Sequence, residues 1–369
     1  MIVSMVVACW LTVGFGSETN VPPATATARR PLRCVYFTPA DCEPHPGRAE
    51  RLYRVMTCVQ NFYRREMERN GMGPLTFALE EEAPGRLKLY EVRGTGRQLE
   101  YGRRSAGRIH HEVAAALRAH GLDAGRERIV VFQRGGLVWK DGQSREISPY
   151  VGSWTPICGI CMVYDDPLID ARLLRSRAPG GSYCGSACSV GKFNSHYIGG
   201  IAHELGHALT LPHDGETPEE RRTRGRSLMG GGNHTFGCEL RQEGLGTFLT
   251  ATDALRLSAV STINGGEPVA RKNDVTLEFS PLQLEGGRLQ VKGRVTTARP
   301  IRGLLVYVDP DVPATDYDAQ TWIVKPAADG TFDTVLKGIP EVASGIRVWV
   351  VRDCDSVLLY RTRLKNKGQ

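Results

Sequence analysis

No apolar run in this 369-residue chain is long enough to cross a bilayer, which takes about 20 helical residues. The one long apolar stretch, Ile2 to Phe15, sits at the amino terminus and turns polar at once. It has the length of a secretory signal core, and Gly14 and Gly16 are small residues at cleavage spacing. Residues 1–16 are therefore read as a signal peptide of a secreted, extracytoplasmic protein, although no Lys or Arg precedes the run. The chain also lacks a dense basic block. Its 47 Lys and Arg against 40 Asp and Glu leave +7, spread too thinly for a nucleic-acid footprint. An internal repeat is absent as well, which excludes solenoids and propellers.

Cysteine is not scarce. There are ten, and loss of Cys9 with the signal leaves nine. In an exported chain most of these should pair as disulfides.

Residues 17–31, rich in Pro, Thr and Ala, form a flexible leader. "CVYF" (34–37) reads as a first strand. Apolar residues from Leu52 to Met67 recur at helical spacing, with Gly71 as a stop. "LTFALE" and "LKLYEV" flank a Pro-Gly turn as two strands, Ser105 is placed to cap a helix ending near His120, and "RIVVFQ" (128–133) is a buried strand. "FLTATDALRLSAV" (248–260) is a last helix, and Thr217-Pro218-Glu219-Glu220 is a helix start. This order predicts an α/β (α+β) catalytic domain over 32–262, with a mixed sheet and an active-site helix. Residues 263–272 are a linker. Beyond them come short strand-like runs separated by turns, which predict an all-β, Ig-like sandwich over 273–369.

The chemistry concentrates in "GGIAHELGHALTLPHDGE" (199–216). At 100° per residue His207 lies roughly 40° from His203, so the two imidazoles project side by side one turn apart. Ile198, Ile201, Leu205, Ala208 and Leu209 fall on the opposite face. Such a helix buries one side and aims two imidazoles the other way. Gly199, Gly200 and Gly206 flank the histidine face, and each costs about 1 kcal/mol against Ala, so a substrate or a neighbouring backbone is expected to pass close by. Two neutral imidazoles at this spacing can share one zinc ion, given a third ligand and a position left open. Glu204, beside the pair, is placed as general base. His213 reaches the metal only if the chain turns sharply after Leu209, and Pro212 favours that break.

"HELGHALTLPHD" resembles the extended zinc signature of the metzincin metallopeptidases, and Asp214 after the third histidine resembles the reprolysin branch. "RGRSLMGGGNH" resembles the methionine turn of that family, with Met229 beneath the metal. The resemblance implies a metzincin-like zinc peptidase: His203, His207 and His213 as ligands of one catalytic Zn²⁺, Glu204 as base and proton shuttle, and a protein or peptide substrate. Thr210 stands where the family has Gly, a position whose backbone angles other residues avoid. No tyrosine follows the methionine turn, and His234 could donate to the developing oxyanion instead.

Cys158, Cys161, Cys184 and Cys188 offer either a structural zinc site or two disulfides, the disulfides being favoured in an exported chain. Asp165, Asp166 and Asp170 in "YDDPLID" could bind calcium, against a solvated loop as the plainer reading. Two other classes stay open: an extracellular binding or adhesion protein with a closed structural zinc, and a zinc hydrolase of non-peptide amides.

Overall fold

The structure, a computed structural model, describes residues 30–266, 274–310, 316–339, 343–353 and 356–363. The expected signal peptide, the leader as far as residue 29 and the linker from 267 onward lie outside the described residues. Among those described, no helix is long and apolar enough to cross a membrane.

The first region is a five-stranded sheet with helices on both faces. Its strands are β1 (Arg33–Thr38), β2 (Tyr90–Arg93), β3 (Arg128–Arg134), β4 (Val151–Trp154) and β5 (Gly159–Asp165). They lie in the order β2-β1-β3-β5-β4, all parallel except the edge strand β4, which runs antiparallel to β5. Alternate residues of each inner strand feed two separate cores, as expected of a sheet covered on both faces. Val35, Phe37, Ile129 and Val131 pack under α2 (Ala106–Ala119). Cys34, Tyr36, Val130 and Cys161 pack with α1 (Arg48–Arg69) and α3 (Val190–Ala208).

Several local expectations are amended. Of the two strands around Pro84-Gly85, only Tyr90–Arg93 joins the main sheet, while Glu81–Ala83 and Arg86–Leu87 make their own small hairpin. The Ser105 hydroxyl does not cap α2; it donates back to the Glu100 carbonyl, 3.3 Å away. The last long helix begins at Ala251, where Thr250 accepts from the Asp253 amide, and ends at Leu257. Thr217 and Glu220 do form a reciprocal capping box at the start of α4 (Pro218–Thr223).

The acidic loop 164–170 is neither solvated nor arranged for calcium. Asp165 is paired with Arg51 and accepts from Tyr36, Asp166 accepts from Trp139, and Asp170 is paired with Arg54 and Arg172. The pairs with Arg51 and Arg54 fasten the loop to α1.

The cysteine expectation fails too. The eight described cysteines are free thiols, and the four around the loop do not gather for a metal. The register explains Cys161. It faces Val130, which in turn faces Cys34, so the two buried thiols are two strands apart. That is about 9.6 Å, beyond disulfide reach. Cys184 occupies the turn of the hairpin Pro179–Tyr183/Ser186–Ser189, out of register with Cys188.

The second region is a sandwich of two antiparallel sheets. One holds Val275–Phe279, Gln283–Glu285, Arg288–Thr297 and Thr331–Lys337; the other holds Ile301–Pro310, Gln320–Val324, Ala343–Arg352 and Ser356–Arg363. Leu289, Val291, Leu304, Val306, Val348 and Val350 fill the space between them. The outer face of the second sheet is apolar as well. Its Leu305, Tyr307, Trp349 and Val351 pack on Leu255 and Ala259, from the helix Ala251–Leu257 and the turn after it, with Trp154 of β4 alongside.

Candidate active site

α3 begins at Ser189, whose hydroxyl accepts from the Lys192 amide, and runs beneath the sheet edge. Its glycines are there for neighbouring chain segments. A Cβ on Gly199 would fall 2.4 Å from the Asn233 carbonyl, one on Gly200 2.5 Å from the Tyr150 hydroxyl, and one on Gly206 2.5 Å from Met229 Sδ. Met229 is fully buried against that helix.

The helix ends in a Schellman motif. Leu211 N–H donates to the Gly206 carbonyl (2.9 Å) and Thr210 N–H to the His207 carbonyl (2.8 Å). Thr210 takes the left-handed position usually held by glycine, with φ of 84°. Such a conformation is strained for a β-branched residue. The compensation is visible: Thr210 Oγ1 accepts from Arg256 Nε at 3.2 Å, in a fully buried setting. Arg256 is sandwiched by rings, 3.5 Å from the Trp349 centroid and 5.2 Å from that of Trp154. Burial pushes its pKa down to about 10.

With the chain turned at Thr210, His213 comes back to the helix. The ligand nitrogens of His203, His207 and His213 lie within 4.8 Å of one another, the only such group of three or more among the described residues. His207 Nε2 and His213 Nε2 are 2.9 Å apart. His203 Nδ1 donates to the Leu228 carbonyl (2.7 Å) and His207 Nδ1 to the Leu211 carbonyl (2.8 Å). These bonds fix tautomer and ring direction, leaving each Nε2 turned to the common centre. Burial, followed by the neighbouring His207, pushes the His203 pKa down to about 3, so the ring is neutral as a ligand must be. The group is therefore built to hold a single metal ion, with zinc matching three imidazoles and a further open position.

Glu204 stands beside the trio. Its Oε2 accepts from the Gly152 amide of β4 at 2.6 Å. Burial raises its pKa to about 7, with the Gly152 amide pulling the other way. Strand and helix touch here: a Cβ on Gly152 would lie 2.1 Å from the Glu204 carbonyl and 2.6 Å from His207 Cβ. Gly152, Arg256 and the Leu228 carbonyl are site components that no motif signalled.

His234 is exposed and belongs to a different cluster. Its ring lies 4.8 Å from that of His196 and 5.9 Å from that of Tyr183. His196 is seven residues before His203, two turns up the same helix face. Asp214 is fully buried, where Ser227 Oγ and Thr250 Oγ1 donate to its carboxylate.

The α/β layer joined to a β-sandwich has counterparts among solved structures. Wild-type OgpA from Akkermansia muciniphila aligns with a TM-score of 0.74 at 23% identity, over 92% of this chain and 94% of that one. Catalytically inactive OgpA in complex with an O-glycopeptide (glycodrosocin) substrate aligns equally well, over 92% and 96%. A second crystal form of the wild type gives 0.73 over 94% and 100%. No family model and no curated protein matches the chain.

This likeness corrects the assignment drawn from the motif. OgpA is a counterpart that spans both regions, and the metzincin assignment, with its methionine turn and reprolysin-type aspartate, does not stand. Met229 and Asp214, taken as marks of that family, are accounted for by packing against Gly206 and by tying Ser227 and Thr250 together.

Proposed function

We propose that the chain is an extracytoplasmic zinc-dependent endopeptidase. The observation that carries this reading is the convergence of three imidazoles beside Glu204, whose carboxylate is fastened to an edge strand. His203, His207 and His213 would hold the ion, which when bound supplies a Lewis acid and an activated water. Glu204, buried and poised near neutrality, would accept the water's proton and return it to the leaving amine. The Gly152 amide holds that carboxylate in place. Among the described residues β4 pairs on one side only, and the part of its outer edge not taken by Glu204 can bind an extended peptide through main-chain hydrogen bonds.

The substrate class we favour is an O-glycosylated peptide. OgpA has been captured with one. Here Tyr183, His196 and His234 form a wall of rings along the helix face that carries the ligands, and such faces suit the apolar side of a sugar.

The test compares matched peptides with and without an O-linked sugar, using the zinc-loaded chain with and without chelator. Cleavage that requires zinc and is faster on the glycopeptide is expected. Glu204→Gln should retain zinc and lose about 10²–10⁴-fold in kcat; wild-type rates in that variant would refute the mechanism.

A further inference from the structure

Among the described residues, Tyr317 is where the sandwich reaches the histidine rings. Tyr317 lies in a single turn, Asp316–Asp318, between two strands of the second sheet. Its ring stacks on His213 with centroids 3.6 Å apart and planes 24° from parallel. The same ring is nearly parallel to His203, at 11° and 6.0 Å. Tyr317 is still 41% exposed, so it borders the open side of the site.

The backbone behind the ring is docked. Gly215 N–H, two residues past the ligand, donates to the Ala319 carbonyl at 2.8 Å. A Cβ on Gly215 would lie 2.9 Å from Asp318 Cα and 3.1 Å from the Tyr317 carbonyl, so the two segments approach as closely as glycine allows. At the other end of the ligand segment, Thr210 is bonded to Arg256, which lies on Trp349 of the sandwich. The stretch from Thr210 to Gly215 is thus supported from the second region at both ends. The ligands differ in their need for this support. His203 and His207 ride on a packed helix, whereas His213 sits on a non-helical segment.

We propose that Tyr317 is a positioning residue for His213, so that the β-sandwich completes the metal centre. The proposal rests on the reading that the three histidines bind zinc. Ring stacking restricts rotation of the imidazole and keeps its Nε2 toward the other two. Hydrogen-bonding groups that orient a ligand are worth about 10–100-fold in metal affinity, and a stacked ring that orients one by contact is expected at the lower end of that range.

The experiment uses the full chain and needs no substrate. Zinc affinity is measured by competition with a chromophoric chelator, and the visible spectrum of the cobalt-substituted protein reports ligand geometry. Tyr317→Ala should weaken zinc binding by about tenfold or more and change the cobalt bands, while Tyr317→Phe, which keeps the ring, should stay within about twofold of wild type. Wild-type affinity and spectrum in Tyr317→Ala would overturn the proposal, as would a phenylalanine variant as weak as the alanine one. If Tyr317→Ala lowers the melting temperature of the metal-free chain, Tyr317→Leu fills the space without a π face and is expected to bind zinc as weakly as Tyr317→Ala, with wild-type affinity again overturning the proposal. A wild-type chain that binds zinc but cleaves no peptide would sink the peptidase reading alone, whereas one that binds no zinc would sink both.

Discussion

Gly152 and Gly293 make a useful pair. Each lies in a strand, and at each an added Cβ would strike a carbonyl oxygen, that of Glu204 at 2.1 Å or of Glu278 at 2.0 Å. In the first region that oxygen belongs to the helix carrying the metal ligands. In the second it belongs to the neighbouring strand of a sheet with no chemistry on it. The same steric rule therefore serves function in one place and only cohesion in the other.

Substitution at the two glycines should separate these roles. Gly152→Ala must push β4 off α3 and release the amide that holds Glu204, so kcat/KM should fall on the order of 10²-fold. Gly293→Ala should lower stability by about 1–3 kcal/mol through overpacking and leave kcat unchanged. Steady-state kinetics with thermal melts on both variants check this, and equal losses of activity would abolish the distinction.

Thr210 tests the seam between the regions at smaller amplitude. Thr210→Ala loses the bond from Arg256 while keeping a side chain at positive φ, which should cost about 1–1.5 kcal/mol. Thr210→Gly loses the same bond but relieves about 1–2 kcal/mol of backbone strain, so it should melt near the wild type. If glycine melts no higher than alanine, the backbone at this position carries no strain for glycine to relieve.

Asp253 gives the mildest effect. Its side chain is fully buried and its carboxylate oxygens have no hydrogen-bond partner among the described residues. Burial, and then the nearby Asp214, raise its pKa well above the ordinary value. The folded chain thus keeps a proton that the unfolded chain releases near pH 4. Stability attributable to this group is full below that pH and declines as pH rises toward the folded value. Asp253→Asn should flatten this part of the stability–pH curve, which denaturant titrations between pH 4 and 8 would reveal. An unchanged slope would mean that the carboxyl is ionised.

Legibility differed between the regions in a physical way. Helices and inner strands announce themselves because burial enforces a period, as in Leu52 to Met67 or "RIVVFQ". The short strand-like runs of the sandwich likewise appear as strands. The histidine face of α3 was readable from spacing alone, since helix geometry fixes which residues share a face. Family marks were less dependable: Met229 and Asp214 matched a pattern, yet their contacts are packing and tethering. The expectation of disulfides among Cys158, Cys161, Cys184 and Cys188 followed from compartment; all four are free, with Cys161 buried in the central sheet and Cys184 in a hairpin turn out of register with Cys188.

By itself, then, the sequence determined the elements and the local chemistry: which residues share a helix face, which strands are buried, and that Glu204 stands beside a pair of imidazoles. Those follow from periodicities within one element. Only the tertiary structure decided whether His213 arrives. That depends on a threonine held at positive φ by Arg256, 46 residues later in the chain, and on a tyrosine from the sandwich lying on the ligand ring. Contacts between segments so distant leave no period to read, because each partner satisfies its own local rules and the pairing is set by packing.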